Sequence, residues 1–225
     1  MAVQLILALL YVVVTHLAVV LPDDQLAWIS IMLLVVMILL GPIRRRRPWA
    51  YGILAGSFVL LYAGSGAHLA QVVIFLPPVL INVGFCWLFG HTLLGNRTPL
   101  VARMVRLLHG KDDIRDPEVW VYARKVTACW TGLFLFNALA CLALALCATP
   151  GGLLLAAGYA PPITVPARYW SLFSDIGCYV LTAAMFVVEY AYRSYRFPWQ
   201  PYRNFFDFLR RALAIGPTLI AELFQ

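Results

Sequence analysis

Charged residues are what this sequence has least of. Asp, Glu, Lys and Arg make up 12% of its 225 residues, while 63% are hydrophobic. A soluble domain carries about 25% charged and roughly 45–50% apolar residues, so the composition excludes an ordinary water-soluble fold and points to a membrane protein. Sulfur chemistry is thin as well. The five cysteines (Cys86, Cys129, Cys141, Cys147, Cys178) form no CxxC pair, and an odd number argues against a disulfide framework. They lie within or at the ends of apolar runs, where cysteine serves as a small packing residue. There is no His-x3-His, no Gly-x-Ser-x-Gly and no phosphate-binding glycine loop, so zinc, hydrolase and nucleotide chemistry have no support. No metal or cofactor is expected. Internal repeats, heptad runs and low-complexity tracts are missing too. Met1–Leu21 lacks a basic n-region and a small-residue cleavage site, so it reads as a retained span rather than a signal peptide.

Long apolar runs are there instead. At about 20 residues per span, the length accommodates six crossings and not eight. The runs are 2–21, 26–40, 49–63, 69–90, 123–147 and 169–192. Pro22-Asp23-Asp24 breaks the first from the second, with Asp24 placed to cap the second helix. Gly41-Pro42 ends the second. Pro77-Pro78 interrupts the fourth by denying hydrogen bonds to Val73 and Ile74; a kink inside one helix is expected, the alternative being a helix that starts near Pro78. The sequence therefore predicts an all-α polytopic membrane protein without a soluble domain.

Orientation follows from the loops. Arg44–Arg47 and the segments 91–125 and 193–225 fall on one side of a six-span threading and hold 16 of the 17 Lys and Arg residues, leaving only Arg168 on the other. By the positive-inside rule that side is cytoplasmic, and both termini with it. This accounts for the net charge of +7 without a nucleic-acid partner.

Two amphipathic segments lie on the same side. In Thr98-Pro99 followed by LVARMVRLLH and Gly110, Thr98 is placed as N-cap, Pro99 in the first turn and Gly110 past the end. Leu100, Val101, Met104, Val105 and Leu108 share one face, with Arg103 and Arg106 off it. Such a helix suits the membrane interface, its arginines toward lipid phosphates, though a helix packed on a protein partner has the same pattern. The second segment is 202–213. His91, Arg97, Arg103 and Arg106 are the interface candidates, and anionic lipid headgroups the expected partners.

Polar residues inside apolar spans are costly, which makes them site candidates. They are Asn82, Asn137, Asp175 and Glu189. Thr127, Trp130, Phe134, Asn137 and Cys141 recur at spacings of three and four and predict the buried face of the fifth span. Asn137 and Asp175 lie at neighbouring depths of one helical hairpin, where contact is expected. Glu189 precedes Arg193 by four residues, the favourable order for a helical ion pair. Interhelical hydrogen bonding is one role for these groups; a polar or proton-linked pathway is the other. Two further patterns are weaker. Asp112-Asp113-Ile-Arg-Asp116 has the DDxxD spacing of prenyl-transferring enzymes, but between Gly110 and Pro117 it reads as a loop. His91-Thr-Leu-Leu-Gly-Asn96 resembles the His-x4-Asp of glycerolipid acyltransferases with Asn in place of the acid, and an amide cannot stabilise an imidazolium as a carboxylate does.

Taken together, Pro78-Val-Leu-Ile-Asn82, Phe89-Gly90, Thr98-Pro99-Leu100 with Arg103, Trp130 with Phe136-Asn137, Trp170-Ser-Leu-Phe-Ser-Asp175, Glu189-Tyr190 with Arg193, and Phe205–Arg210 resemble a family of small bacterial inner-membrane proteins. Genes of that family often lie in clusters for aryl polyene or xanthomonadin-type pigments and related lipids. The resemblance covers about Phe75 to Pro217; the first three spans match only in character. A shorter likeness, in the Trp130–Asn137 and Trp170–Asp175 hairpin, is to the intracellular septation protein A family.

The family resemblance implies a multi-pass protein of the bacterial inner membrane, part of polyene-lipid assembly or movement. The role expected is a non-enzymatic accessory: a scaffold or lipid-handling subunit beside membrane or cytoplasmic biosynthetic enzymes. One alternative is a membrane-embedded acyl or prenyl transferase using His91, Asp112, Asp113 and Asp116. The other is a small transporter or flippase subunit working through Asn82, Asn137 and Asp175.

Overall fold

The computed structural model describes residues 2–21, 23–64, 73–95, 97–109 and 117–197, together with 206, 207, 209–211 and 214. Its elements are α1 (Ala2–Val20), α2 (Asp24–Arg44), α3 (Pro48–Gly64), α4 (Leu76–Gly90) with a 3-10 turn at His91–Leu93, α5 (Leu100–His109) and α6 (Pro117–Cys147). After α6 come β1 (Ala148–Thr149), α7 (Leu153–Ala156) and β2 (Val165–Pro166), then α8 (Ala167–Leu172), a π-helical turn (Phe173–Gly177) and α9 (Cys178–Arg196). The fold is all-α. Its strands are two residues long and pair in parallel, Ala148 with Val165 and Thr149 with Pro166.

Four helices among the described residues are long and apolar enough to cross a membrane: Gln25–Arg44, Leu76–Leu93, Pro117–Cys147 and Ala167–Arg196. Two apolar stretches are shorter, Leu9–Val19 and Pro48–Leu60. The expectation of membrane spans holds at this coarser level.

Several ends differ from the sequence reading, each for a local reason. Asp23, not Asp24, caps α2: its side chain accepts the N–H groups of Gln25 (2.7 Å) and Leu26 (3.3 Å). Gly41-Pro42 does not end that helix, which continues to Arg44 with Arg45 N–H bonded to the Gly41 carbonyl. A proline so close to the end removes one hydrogen bond, and the chain turns only at Arg46, where φ is +52°. The expected kink at Pro77-Pro78 is also absent. The chain turns at Ile74 and Phe75, and α4 starts at Leu76 with both prolines in its first turn, where a missing N–H costs nothing. Residues 69–72, the expected start of the fourth span, fall outside the described residues. α6 begins at Pro117, six residues before the expected span.

The chain divides into two compact units, Met1–Ile81 with Ala138–Cys178, and Asn82–Asn137 with Tyr179–Gln225. In the first, α1 packs against α2 and α8, and α2 against α3. Its core is built from small side chains, Ala18, Ala27, Ala145, Ala148 and Ala167, around Phe75 and a fully buried Trp170, whose rings meet edge to face at 4.6 Å. Lipid is as apolar as a core, so helices in it gain from close packing and hydrogen bonds rather than from hydrophobic burial, which favours alanine at such contacts.

The second unit is held by aromatics. Trp130 meets Phe186 edge to face (4.7 Å) and Phe134 and Phe89 at 5.7 and 5.8 Å. At Gly90 a Cβ would stand 3.1 Å from Thr131 Cγ2, so α4 and α6 approach too closely there for a larger residue. The predicted stripe of α6 is correct: Thr127, Trp130, Phe134, Asn137 and Cys141 are all buried.

Helix α5 forms where the pattern placed it, but its cap differs. Arg103 N–H bonds the Pro99 carbonyl, so Pro99 rather than Thr98 is the capping residue. The orphan N–H groups of Leu100 and Val101 are taken by threonines distant in sequence, Thr92 Oγ1 (3.1 Å) and Thr127 Oγ1 (3.2 Å). On its apolar face Val101 and Val105 are buried and pack with Val119, Ala123 and Val126 of α6. Of the segment 202–213, residues 206, 207 and 209–211 are described and helical.

Candidate functional site

In the second unit the end of α9 and the start of α6 build a buried ion pair and an open cleft that share Tyr122. Glu189 and Arg193 face each other one turn apart, Arg193 Nε to Glu189 Oε1 at 3.3 Å, and both side chains are buried. Tyr122 donates its hydroxyl to the same carboxylate oxygen (2.8 Å). The helical ion pair expected from their spacing is formed. A permanent guanidinium charge and a phenol satisfy this carboxylate, so it works as a strut.

Next to the strut is a cleft of about 410 Å³ lined by Pro117, Glu118, Val121, Tyr122, Lys125, Tyr192, Arg196 and Phe197. Its walls are aromatic: Tyr122 stacks on Tyr192 (5.9 Å) and meets Phe197 edge to face (5.2 Å). Its charges are mostly positive. Arg196 pairs with Glu118 at 2.6 Å and lies 5.5 Å from the Phe197 ring. Lys125 is exposed and has no ion pair among the described residues. Aromatic walls with a lysine at the mouth suit a molecule that is apolar at one end and anionic at the other.

The remaining candidates of this unit are scattered. His91 stacks on Trp87 (ring centroids 4.6 Å) and its Nδ1 is bonded to the Trp87 carbonyl (2.9 Å), which fixes the ring on its own helix. Arg124 holds the adjoining turn by donating to the Leu93 carbonyl (3.1 Å). Arg97 is exposed; Arg103 is half-buried and donates to the Thr98 carbonyl (3.2 Å), and Arg106 is half-buried. Asn82 is buried. Asn137 is fully buried and neither of its amide atoms has a hydrogen-bond partner among the described residues. The acidic run Asp112, Asp113 and Asp116 lies outside the described residues. No protein-family model, no curated protein and no solved structure matches the chain.

In the first unit Asp175 belongs to a cluster that sequence reasoning missed. Ser171 donates to Asp175 Oδ2 (2.8 Å) and Ser174 to Oδ1 (3.2 Å). His16, on α1, is hydrogen-bonded through Nδ1 to the Ser171 hydroxyl and stands 3.6 Å from Asp175 Oδ2. Ser171 is fully buried and the Asp175 side chain 10% exposed, whereas the His16 side chain is 47% exposed. Asp175 sits in the π-helical turn, whose extra residue per turn re-aims side chains and recurs at functional sites. Nothing in the sequence links His16 to Ser171, 155 residues away.

The same unit carries an apolar groove of about 330 Å³ lined by Trp28, Ile29, Met32, Leu33, Val36 and Phe58. It has the size and chemistry for a hydrocarbon chain.

Proposed function

We propose that the chain is a lipid-handling accessory protein of the bacterial inner membrane, crossing it six times with both termini in the cytoplasm. One observation carries this reading: the cleft at the start of α6 and the end of α9, where aromatic walls meet Lys125 and Arg196. Under the positive-inside threading the cleft opens at the cytoplasmic face, where an acidic headgroup is attracted by about 1 kcal/mol per nearby basic residue. The apolar groove on α2 and α3 supports the same reading from the chain end of a lipid. The resemblance to proteins encoded beside polyene-pigment and lipid genes supplies the context, a subunit working with membrane or cytoplasmic enzymes of polyene or acyl-lipid assembly.

A second reading, a small transporter or flippase subunit, is favoured by Asn137, a buried amide with both ends unpartnered among the described residues. The transferase reading has less behind it, since His91 is bonded to a backbone carbonyl and not to a carboxylate.

Lipid extraction from a strain lacking the protein tests the choice. An accessory role predicts less finished lipid and no accumulating precursor. A single accumulating precursor contradicts it in favour of an enzyme, and finished lipid in the wrong leaflet favours the transporter.

A further inference from the structure

We propose that His16, Ser171 and Asp175 form a proton-loading site, in which a proton taken up by a half-exposed imidazole passes through a serine hydroxyl to a buried carboxylate. The ligand is the proton itself, and the site stands independently of the lipid reading.

The order of the groups decides the chemistry. A hydrolytic triad places histidine between serine and carboxylate and exposes the serine to substrate. Here serine is in the middle. Ser171 is fully buried and its hydroxyl proton is committed to Asp175 Oδ2, so its oxygen has a lone pair for His16 Nδ1–H and no path to a substrate. That is the wrong arrangement for a nucleophile and the right one for a relay. A hydroxyl is donor and acceptor at once, so it passes a proton on while keeping one of its own.

The transfer balances. A proton binds His16 Nε2, the nitrogen these partners leave open, and makes the ring an imidazolium. The imidazolium gives its Nδ1 proton to Ser171 Oγ as Ser171 gives its hydroxyl proton to Asp175 Oδ2. Neutral histidine, neutral serine and a carboxylic acid result, with Ser174 still donating to Asp175 Oδ1. The reverse sequence returns the proton, so no redox partner or co-reactant is needed.

The surroundings leave the carboxylate able to change state. Facing Asp175 are His16 from α1 and, near enough to interact with its charge, the thiol of Cys141 on α6, which itself meets Cys178 on α9 (Sγ–Sγ 3.6 Å). Among the described residues no arginine or lysine pairs with it. The nearest in sequence, Arg168, lies over the Tyr169 ring (5.0 Å) on the exposed side of α8. The cluster stands at the Asp23 end of the α1–α2 hairpin, with the 21 residues of α2, about 30 Å at 1.5 Å each, between it and Arg44–Arg47. In the proposed threading the site therefore opens to the non-cytoplasmic side.

The test is pH-jump infrared spectroscopy of the full chain in lipid nanodiscs, following the carboxylic-acid C=O stretch. The wild type is expected to show a reversible band that disappears in Asp175→Asn. Ser171→Ala, which removes only the hydroxyl, is expected to slow its appearance at least tenfold, and Ser171→Thr to restore the rate. A wild type without the band, a band that survives Asp175→Asn, or a Ser171→Ala protein that loads as fast as wild type overturns the proposal. The size of the Asp175 band in Ser171→Ala reports whether that variant is folded.

Discussion

Glu189 and Asp175 are both buried carboxylates on the last long helical stretch, and their surroundings are opposite. Glu189 faces a guanidinium 3.3 Å away on its own helix and a phenol at 2.8 Å. Asp175 faces two serine hydroxyls and an imidazole that is half in contact with the outside. The arginine opposite Glu189 keeps its own charge, because arginine does not deprotonate in proteins. A charge balanced by hydroxyls and a histidine can be gained or lost with little rearrangement. The lesson is that burial alone does not mark a functional carboxylate. What marks it is a partner set that can itself change protonation.

The largest effect is expected where the balance is permanent. Arg193→Met strands the Glu189 carboxylate among apolar groups, and breaking a buried pair this way costs about 3–5 kcal/mol. Thermal unfolding in detergent should show it as a large fall in Tm, and Arg193→Met with Glu189→Leu should recover most of the loss. If the single variant unfolds like wild type, the strut reading fails.

A smaller loss is expected at the cap that ties α5 to α6. Thr127→Val leaves the Val101 N–H without its acceptor, worth about 1–2 kcal/mol on the scale of helix capping. Amide hydrogen exchange should quicken at Val101 and not along α9. Protection at Val101 equal to wild type would show that the threonine is not its acceptor.

The smallest stability change, and the one that sharpens the contrast, belongs to Asp175→Asn. The amide oxygen still accepts from Ser171, so stability should move by less than about 1 kcal/mol, within the range of membrane hydrogen bonds. A fall as large as that of Arg193→Met would make the two carboxylates alike and dissolve the comparison.

Much of the frame was legible because it depends on local patterns. The α6 stripe, the Glu189–Arg193 pair and the helix at 100–109 all follow from spacings of three and four residues on one helix. What the sequence hid depends on distant contact. Thr92 and Thr127 cap α5 from eight and 26 residues away, and nothing local distinguishes them from other threonines. His16 meets Ser171 across 155 residues. Pro77-Pro78 was misread for a different reason: prolines are tolerated both in a kinked helix and in a first turn, and only the turn at Ile74–Phe75 separates the two. Asp175 was singled out from its cost in an apolar span, while its partners could be found only in three dimensions.

The cleft at Lys125 carries the lipid-handling role, and native mass spectrometry of the purified protein tests it directly. Offered equal amounts of phosphatidylglycerol and phosphatidylcholine, the wild type should retain the anionic lipid in preference. Lys125→Ala should weaken that retention roughly fivefold, from about 1 kcal/mol per basic residue at an acidic surface. Equal retention of both lipids by the wild type, or undiminished anionic-lipid retention in Lys125→Ala, would contradict the lipid-handling role.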